Sequence, residues 1–191
     1  MTQGKTLSFD RDEALQRAME HFWAHGYEGT GVTALLEHMG IQRQSMYNTF
    51  GSKEDVLFES LDLYAANLHK MLREAMKGAA TPFEKIDRLF DFWRQTGASG
   101  CFIGNCVAEF GQTHDRVAEV VGGKLESIRG IFRDIFQEAI ERGDLPAERD
   151  PDVLAHTLLT YSQGLALMGK ANTDRDQMNS TIETMKRSLK S

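Results

Sequence analysis

Cysteine, proline and long apolar runs are all scarce in this chain of 191 residues. The two cysteines, Cys101 and Cys106, are too few for a disulfide framework, and their spacing matches neither a redox Cys-x-x-Cys pair nor a zinc knuckle. We therefore expect reduced thiols. Pro82, Pro146 and Pro151 lie beside turn-like residues, so long stretches of the chain are free to form helices.

Segments with the character of a membrane span or a secretion signal are also missing. The longest relevant uncharged stretch, residues 153–169, contains a histidine, two threonines, a serine and a glutamine, whereas a helical span needs about 20 mostly apolar residues. Residues 1–12 lack the apolar core of a signal peptide and run directly into acidic residues. The sequence predicts a cytoplasmic protein that does not bind a membrane.

Catalytic and metal-binding motifs are absent in the same way. The chain has no nucleophile elbow, no Walker loop and no Glu-x-x-His pair. Cys101, Cys106 and His114 are soft ligands, but their spacing matches no common zinc pattern. We expect no enzyme activity, no cofactor and no metal site.

What is present is the composition of a folded domain, with 41% hydrophobic and 26% charged residues. No segment alternates convincingly as a strand, and apolar residues recur at steps of three or four, which is typical of helices. The sequence predicts an all-α fold of about nine helices. Their expected ranges are residues 10–26, 32–40, 43–49, 53–77, 82 to a glycine-rich break at 97–104, 107–110, 117–142, 151–170 and 175–189.

Residues 30–50 have the pattern of a helix-turn-helix, with a glycine in the turn at Gly40. The helix from Gln42 to Asn48 would be about 10 Å long, against a major groove about 12 Å wide. Glutamine, asparagine and arginine are suited to base edges, and serine and tyrosine to phosphate oxygens. No acidic residue lies between Glu37 and Glu54. The alternative, a polar surface helix of any helical protein, stays open on spacing alone.

A longer set of residues across this region resembles the TetR family of bacterial repressors over roughly residues 9–61. The set comprises Phe22, Gly26, Tyr27, Thr30, Val32, Leu35, Gly40, Ile41, Met46, Tyr47, Phe50, Ser52, Lys53 and Glu54. The resemblance implies an all-helical homodimer in which residues 1–55 form a three-helix domain that binds operator DNA. Residues 56–191 would form a helical domain for ligand binding and dimerisation.

The resemblance also assigns DNA contacts to individual residues. Thr30 and Thr33 match the N-terminal anchor of the second helix, and Tyr47 and Lys53 match phosphate contacts. The base-reading positions are Gln42, Arg43, Gln44 and Asn48, and Ser45 lies among them as a further phosphate ligand.

The sequence departs from the family pattern in three respects. Gly31 stands where the family often has serine or threonine, and Leu36 where it often has alanine. Residues 1–60 also hold five basic and nine acidic groups. Because DNA-binding surfaces are usually basic, this balance predicts weak non-specific affinity for DNA.

The second part of the chain is rich in aromatic residues, and the resemblance implies a ligand cavity between its helices. The candidate ligand-binding residues are Trp93, Cys101, Phe102, Asn105, Phe110, His114, Phe132, Tyr161 and Gln163, with Glu109 as a further polar group. Residues 99–111 resemble a segment of a subgroup that senses electrophiles or unsaturated small acids, which implies a sensor role for Cys101. Ordinary core aromatics and an inert buried thiol remain the alternatives.

The last two helices carry apolar stripes that pack inward or against a symmetry mate. The resemblance favours a homodimer formed through Pro151 to Lys170 and Arg175 to Leu189. We therefore expect a ligand-responsive transcriptional repressor that binds a palindromic operator as a homodimer. A small-molecule or electrophile effector would release it through the long helix from Lys53 to Lys77. A helical protein-interaction module that never binds DNA is the alternative.

Overall fold

The computed structural model describes residues 9–96, 100–110, 114–171 and 174–190, which form nine helices and no strand. The helices are α1 (Arg11–His25), α2 (Val32–Met39), α3 (Arg43–Thr49), α4 (Lys53–Met76), α5 (Pro82–Thr96), α6 (Phe102–Phe110), α7 (Asp115–Glu141), α8 (Pro151–Lys170) and α9 (Arg175–Lys190). The all-α prediction is confirmed, and eight of the nine helices have bounds close to the expected ones.

Helix α6 begins at Phe102, well before the predicted start at Val107 and inside the expected glycine-rich break. The Cys101 carbonyl accepts a hydrogen bond of 2.8 Å from the Asn105 N–H, which starts the helix at this point. Gly104 suggested a break, but it has a packing role. A Cβ atom there would lie 2.5 Å from the Gln163 side-chain oxygen of α8, so a larger residue at this position would displace the end of that side chain.

The sequence predicts a capping box at the start of two helices, from Asp10 with Glu13 and from Ser52 with Asp55, and the structure confirms the second in full. The Ser52 hydroxyl accepts from the Asp55 N–H while the Asp55 carboxylate accepts from the Ser52 N–H, which is a capping box. At α1, Asp10 accepts from the N–H of Asp12 and Glu13 as expected. The predicted reciprocal bond from Glu13 is wrong, because its carboxylate instead pairs with Arg17 at 2.5 Å.

Helices α1, α2 and α3 form a small unit that packs on the first half of α4. Phe22 of α1, Leu35 and Met39 of α2 and Met46 of α3 are all buried in one cluster. Leu57 and Leu61 of α4 are also buried and complete this cluster on the side of α4. The short helix α3 is thereby held by its buried face, with its opposite face directed to solvent.

Helix α4 crosses the expected domain boundary between residues 55 and 56 without interruption. Its second half packs on α5, α6 and α7, where Tyr64, Ala65 and Leu72 are buried. Helices α7 and α8 form the most extensive pair, with α5 and α9 against them. Within the described ranges, no helix has both the length and the apolar character needed to cross a membrane.

Three histidines meet where α1 lies beside α2. The His21 ring stacks on His25 at 4.3 Å between centroids and lies 4.9 Å from His38. In the part of the chain that the structure describes, the buried His21 Nδ1 has no hydrogen-bond partner. Burial, followed by the proximity of His25 and His38, lowers the pKa of His21 below its ordinary value of 6.5.

From the lowered pKa of His21 we expect the free energy of unfolding to decrease as the pH falls below 6.5. Below that value the unfolded chain binds the His21 proton before the folded chain does, so protonation favours unfolding. Thermal unfolding from pH 7 to pH 5 should show a falling melting temperature, and His21→Phe should reduce that fall. Carboxylates such as Glu138 and Asp152 have pKa values below their ordinary values of 4.5 and 3.8. Their protonation therefore reduces stability only at a lower pH than that of His21. An unchanged pH profile for His21→Phe would contradict this assignment.

Candidate nucleic-acid interface and ligand cavity

The turn between α2 and α3 is built on Gly40, which adopts the left-handed conformation with φ of 70°. Its N–H bonds to the carbonyls of Leu36 and Glu37, and the Ile41 N–H also bonds to Leu36. These bonds end α2 and redirect the chain into α3 within three residues. Met46, fully buried, and Phe50, 6% exposed, then fix α3 against the core.

The outer face of α3 carries the polar side chains that the sequence assigned to DNA. Gln42, Arg43, Gln44, Tyr47 and Asn48 are exposed, and Ser45 is half-buried. The Gln44 amide donates to the Asn48 side-chain oxygen at 2.9 Å, so these two side chains form one polar surface. Their exposure fits the predicted role, and contact with DNA stays a prediction.

The two threonines predicted beside this face lie in different environments. Thr33 is exposed and lines an open depression together with Gln42 and Arg43. Thr30 is fully buried, and its hydroxyl donates to the Gly26 carbonyl at 2.6 Å. The Thr30 hydroxyl thus closes the loop before α2, next to the helix that it is expected to anchor, and its part in DNA binding stays a prediction. Glu37, which sequence reasoning did not place here, lines the same depression as Arg43.

Lys53 lies at the first position of α4, half-buried beside the loop between α1 and α2. Its ammonium lies 3.9 Å from the centroid of the Tyr27 ring, which is a cation–π contact. Burial lowers the pKa of Lys53, while Glu28 and Glu109 act in the opposite direction. Its predicted phosphate contact requires this ammonium to turn from Tyr27 toward DNA.

A cavity of about 130 Å³ lies among α4, α5, α7 and α8 and the start of α6. Four of the predicted ligand-binding residues line it, namely Trp93, Cys101, Phe132 and Gln163. The remaining lining residues are Tyr64, Leu68, Met71, Leu72, Phe92, Thr96, Gly100, Ile128, Ser162 and Ala166. The wall is mostly apolar, which is the usual character of a small-molecule site.

Five predicted ligand-binding residues do not line this cavity. Phe102 is buried in the core with its ring 5.7 Å from Tyr64, and Phe110 packs against Tyr27 and His114. The Tyr161 hydroxyl lies 3.0 Å from the Ser188 hydroxyl on the α9 side of α8. Asn105 and His114 are likewise outside the lining set. Gly100 and Cys101, which come just before α6, line the cavity, and no residue of α6 itself does so.

The cavity contributions from α4 were missed by sequence reasoning. Leu68 and Leu72 are four residues apart and share a helix face, but their spacing is equally typical of core residues. Tyr64 is 6% exposed, and burial followed by the neighbouring Cys101 thiol raises its pKa. Its hydroxyl therefore stays protonated at the cavity wall, next to the Cys101 thiol.

The two cysteines occupy different environments. Cys101 precedes α6, lines the cavity and accepts a hydrogen bond at Sγ from the Gly104 N–H at 3.4 Å. Cys106 is 1% exposed, and burial followed by Glu109 raises its pKa to about 12. Across the described ranges, no group of three histidine, cysteine or acidic residues is arranged to hold a metal ion.

Comparison with known families gives two matches along the chain. A family model described as bacterial regulatory proteins of the tetR family matches residues 14–60, which contain α2 and α3. A model described as a tetracyclin repressor-like C-terminal domain matches residues 82–185, which contain α5 to α8 and part of α9.

Individual relatives cover nearly the whole chain. A structure of the TetR family regulator CifR, a cysteine mutant complexed with 26-bp double-strand operator DNA, is 31% identical with a TM-score of 0.82, over 96% of this chain and 98% of that one. The repressor ComR of Escherichia coli is 27% identical over 93% of this chain and 87% of its own length. The uncharacterized regulator YezE of Bacillus subtilis is 27% identical over 94% and 96%, respectively.

The cysteine environments predict selective labelling by iodoacetamide. Cys101 opens onto the cavity, whereas Cys106 is enclosed and remains a thiol at neutral pH. Mass spectrometry should detect alkylation at Cys101 first, and Cys101→Ser should abolish this early reaction. Cys106→Ser is the matched control and should leave it intact. Equal rates at both positions would contradict the described placement.

Proposed function

Because the chain belongs to the TetR family of bacterial transcriptional regulators, we propose that it is a ligand-responsive repressor that binds a palindromic operator as a homodimer. Regulators of this family bind DNA and are not enzymes, which confirms the expectation from the sequence. The observation that carries the proposal is the exposed polar face of α3, fixed from below by Met46 and Phe50.

In the proposed complex, α3 lies in the major groove. Arg43 is suited to guanine, and Gln42, Gln44 and Asn48 are suited to adenine. Tyr47, Ser45, Thr33 and Lys53 surround them and reach the phosphates, which position the helix without reading sequence. Residues 1–55 would thus carry operator binding, and residues 56–191 ligand binding and dimerisation.

The exposed face of α8 supports the proposed dimer. Leu167 is 68% exposed, and Val153 and Met168 are also exposed on the same helix. Apolar side chains of this size are expected to bury against a partner. We propose that α8 and α9 form the interface with a second copy. A two-fold dimer then presents two α3 helices to half-sites about 34 Å apart, or a multiple of that distance.

Repression is favoured over activation because the relative ComR is a transcriptional repressor. The relative CifR binds operator DNA, which is consistent with the same mode of action. We propose that effector binding in the cavity favours the conformation that does not bind DNA. The site of action is then the bacterial chromosome, in the cytoplasm.

Operator binding tests the DNA part of the proposal. In fluorescence anisotropy titrations across a salt series, the protein should bind DNA that flanks its own gene. Sedimentation of the complex should show two chains bound to each pair of half-sites. Arg43→Ala and Tyr47→Ala should each weaken binding about five-fold or more, because each removes a contact worth about 1–3 kcal/mol. Lys70→Ala, which removes an exposed cation from the second half of α4, away from the α3 face and from the proposed dimer interface, is the control for net charge.

Two results would contradict this assignment. If binding is weak and blind to sequence, and the α3 variants match wild type, α3 is not a recognition helix. A helical protein-interaction module would then explain the fold better. A specific complex with only one chain per operator would agree with recognition by α3 and would contradict the proposed dimer.

The cavity wall indicates the class of effector. Among its described lining residues there is no lysine, arginine or histidine, so a buried anion would have no compensating charge. Lys170 passes near Gly100 at the rim, but it is itself exposed. The volume of about 130 Å³ is close to that of cavities that hold a molecule of benzene size. We propose a small, neutral, mostly apolar effector with one polar group that faces Tyr64 and Gln163.

Cys101 adds a nucleophile to this cavity, and the predicted sensing of electrophiles would occur there. An activated alkene that enters would form a bond to Sγ, with the thiol proton passing to the adjacent carbon. Covalent capture at this position remains a prediction, and the Cys101→Ser variant separates it from reversible binding.

Benzyl alcohol and benzoate form a matched pair that tests the effector class. In a Trp23→Phe background, Trp93 is the one remaining tryptophan and lies on the cavity wall. Benzyl alcohol should change its fluorescence saturably, and benzoate should not. Ala166→Leu, which fills the cavity, should abolish the signal, whereas Gln163→Lys should admit benzoate. Tight binding of benzoate to wild type would contradict a neutral effector while leaving the repressor proposal intact.

A further inference from the structure

Helix α6 makes a direct contact with the DNA-binding part of the molecule through Glu109, in its last turn. The Glu109 carboxylate accepts hydrogen bonds from two successive backbone N–H groups, those of Tyr27 at 3.0 Å and Glu28 at 2.7 Å. Both donors lie in the loop between α1 and α2. Hydrogen bonds to a charged acceptor are stronger than neutral ones, so this pair holds the loop firmly against α6.

The loop is shaped to receive this carboxylate. Gly26 has φ of 74°, and a Cβ atom there would lie 3.0 Å from both oxygens of Glu109. A side chain at this position would therefore be strained and would also push the carboxylate away. Gly26, which caps the end of α1, and Glu109, in the last turn of α6, therefore have complementary shapes where the DNA-binding part contacts the rest of the molecule.

Aromatic and cationic contacts surround the same point. The Tyr27 ring lies 5.4 Å from the Phe110 ring, and the Lys53 ammonium covers Tyr27 at 3.9 Å. Arg116 of α7 pairs with Glu54 at 3.2 Å, but this ion pair joins α7 to α4 and does not reach the loop. Glu109 and Phe110 therefore connect α6 to the loop that leads directly into α2.

The opposite end of α6 lies at the cavity. Cys101 lines the cavity immediately before the helix begins, and the nine residues of α6 span about 13.5 Å. The segment from Cys101 to Glu109 is therefore one short helix with the residue that precedes it, and it offers a direct path from the cavity wall to the loop.

We propose that Glu109 is a positioning residue that couples the effector cavity to the DNA-binding helices. In the unliganded conformation its carboxylate holds the loop between α1 and α2, which fixes α2 and α3 in the arrangement that binds operator. Occupation of the cavity shifts α6, withdraws the carboxylate and releases the loop. The coupling rests on the proposed function, and it adds a direct route to the one expected through α4.

The test compares Glu109→Gln with Glu119→Gln, an exposed carboxylate on α7 whose replacement changes the net charge equally. Amide hydrogen exchange by NMR reports directly on the N–H groups of Tyr27 and Glu28. Their protection should fall on the order of ten-fold in Glu109→Gln and stay unchanged in Glu119→Gln. Operator affinity should fall at least about five-fold in the first variant and less than two-fold in the second. Unaltered protection in α4 shows that the fold is retained.

A cavity adduct tests the coupling itself. In a Cys106→Ser background, methyl methanethiosulfonate attaches a methylthio group to Cys101; an S–S bond forms, methanesulfinate leaves, and the thiol proton passes to solvent. The adduct should reduce both operator affinity and the protection of Tyr27 and Glu28. In Glu109→Gln it should cause no further change in that protection, and it should reduce operator affinity less than it does in the chain that keeps Glu109.

Three results would overturn the proposal. The first is equal protection of the two amides in both glutamine variants. The second is an adduct that changes operator affinity without changing that protection, because coupling would then run through α4. The third is an adduct that changes neither quantity. If wild type binds no operator, the repressor assignment fails, while hydrogen exchange still decides whether Glu109 holds the loop and responds to the cavity.

Discussion

A single apolar core runs through both parts of the molecule, and helix α4 is the element that makes it continuous. Leu57 and Leu61 are buried beneath α1 to α3, and Tyr64 and Leu72 are buried among α5 to α7. Because packed side chains resist compression, a shift on one side of α4 cannot be absorbed locally. The position of the short helix α3 therefore depends on how the larger helical part is packed.

The electrostatics of the DNA-binding part follow from where its charges lie. Two acidic residues at the start of α1 are engaged in local contacts, because Asp10 caps the helix and Glu13 pairs with Arg17. The exposed face of α3 carries Arg43 and no acid, although Glu37 lines the adjoining depression. Local charge is thus compatible with a phosphate backbone even though the region as a whole is acidic.

The sequence predicted the helices well and the cavity only in part, for a physical reason. Helix ends depend on local signals such as Asp10, Gly40 and Ser52, and these act within a few residues. The cavity wall depends on residues from four helices whose apolar spacing is the same as that of the core. Gly104 suggested a break in the chain, but it lies within α6 and faces the Gln163 side chain of α8, a contact between residues distant in sequence. The Glu109 contact with the loop spans more than 80 positions and has no local signature.

The fit between Gly26 and Glu109 has a consequence for the design of hybrid regulators. A DNA-reading head grafted onto a foreign sensor body at the start of α4 would lose Glu109 and keep a loop shaped to receive it. The backbone N–H groups of Tyr27 and Glu28 would then form hydrogen bonds with water instead. The hybrid would fold, but its DNA-binding part would respond poorly to the sensor. A functional chimera must therefore carry the matching acid at the end of the sensor's sixth helix, together with the glycine that faces it.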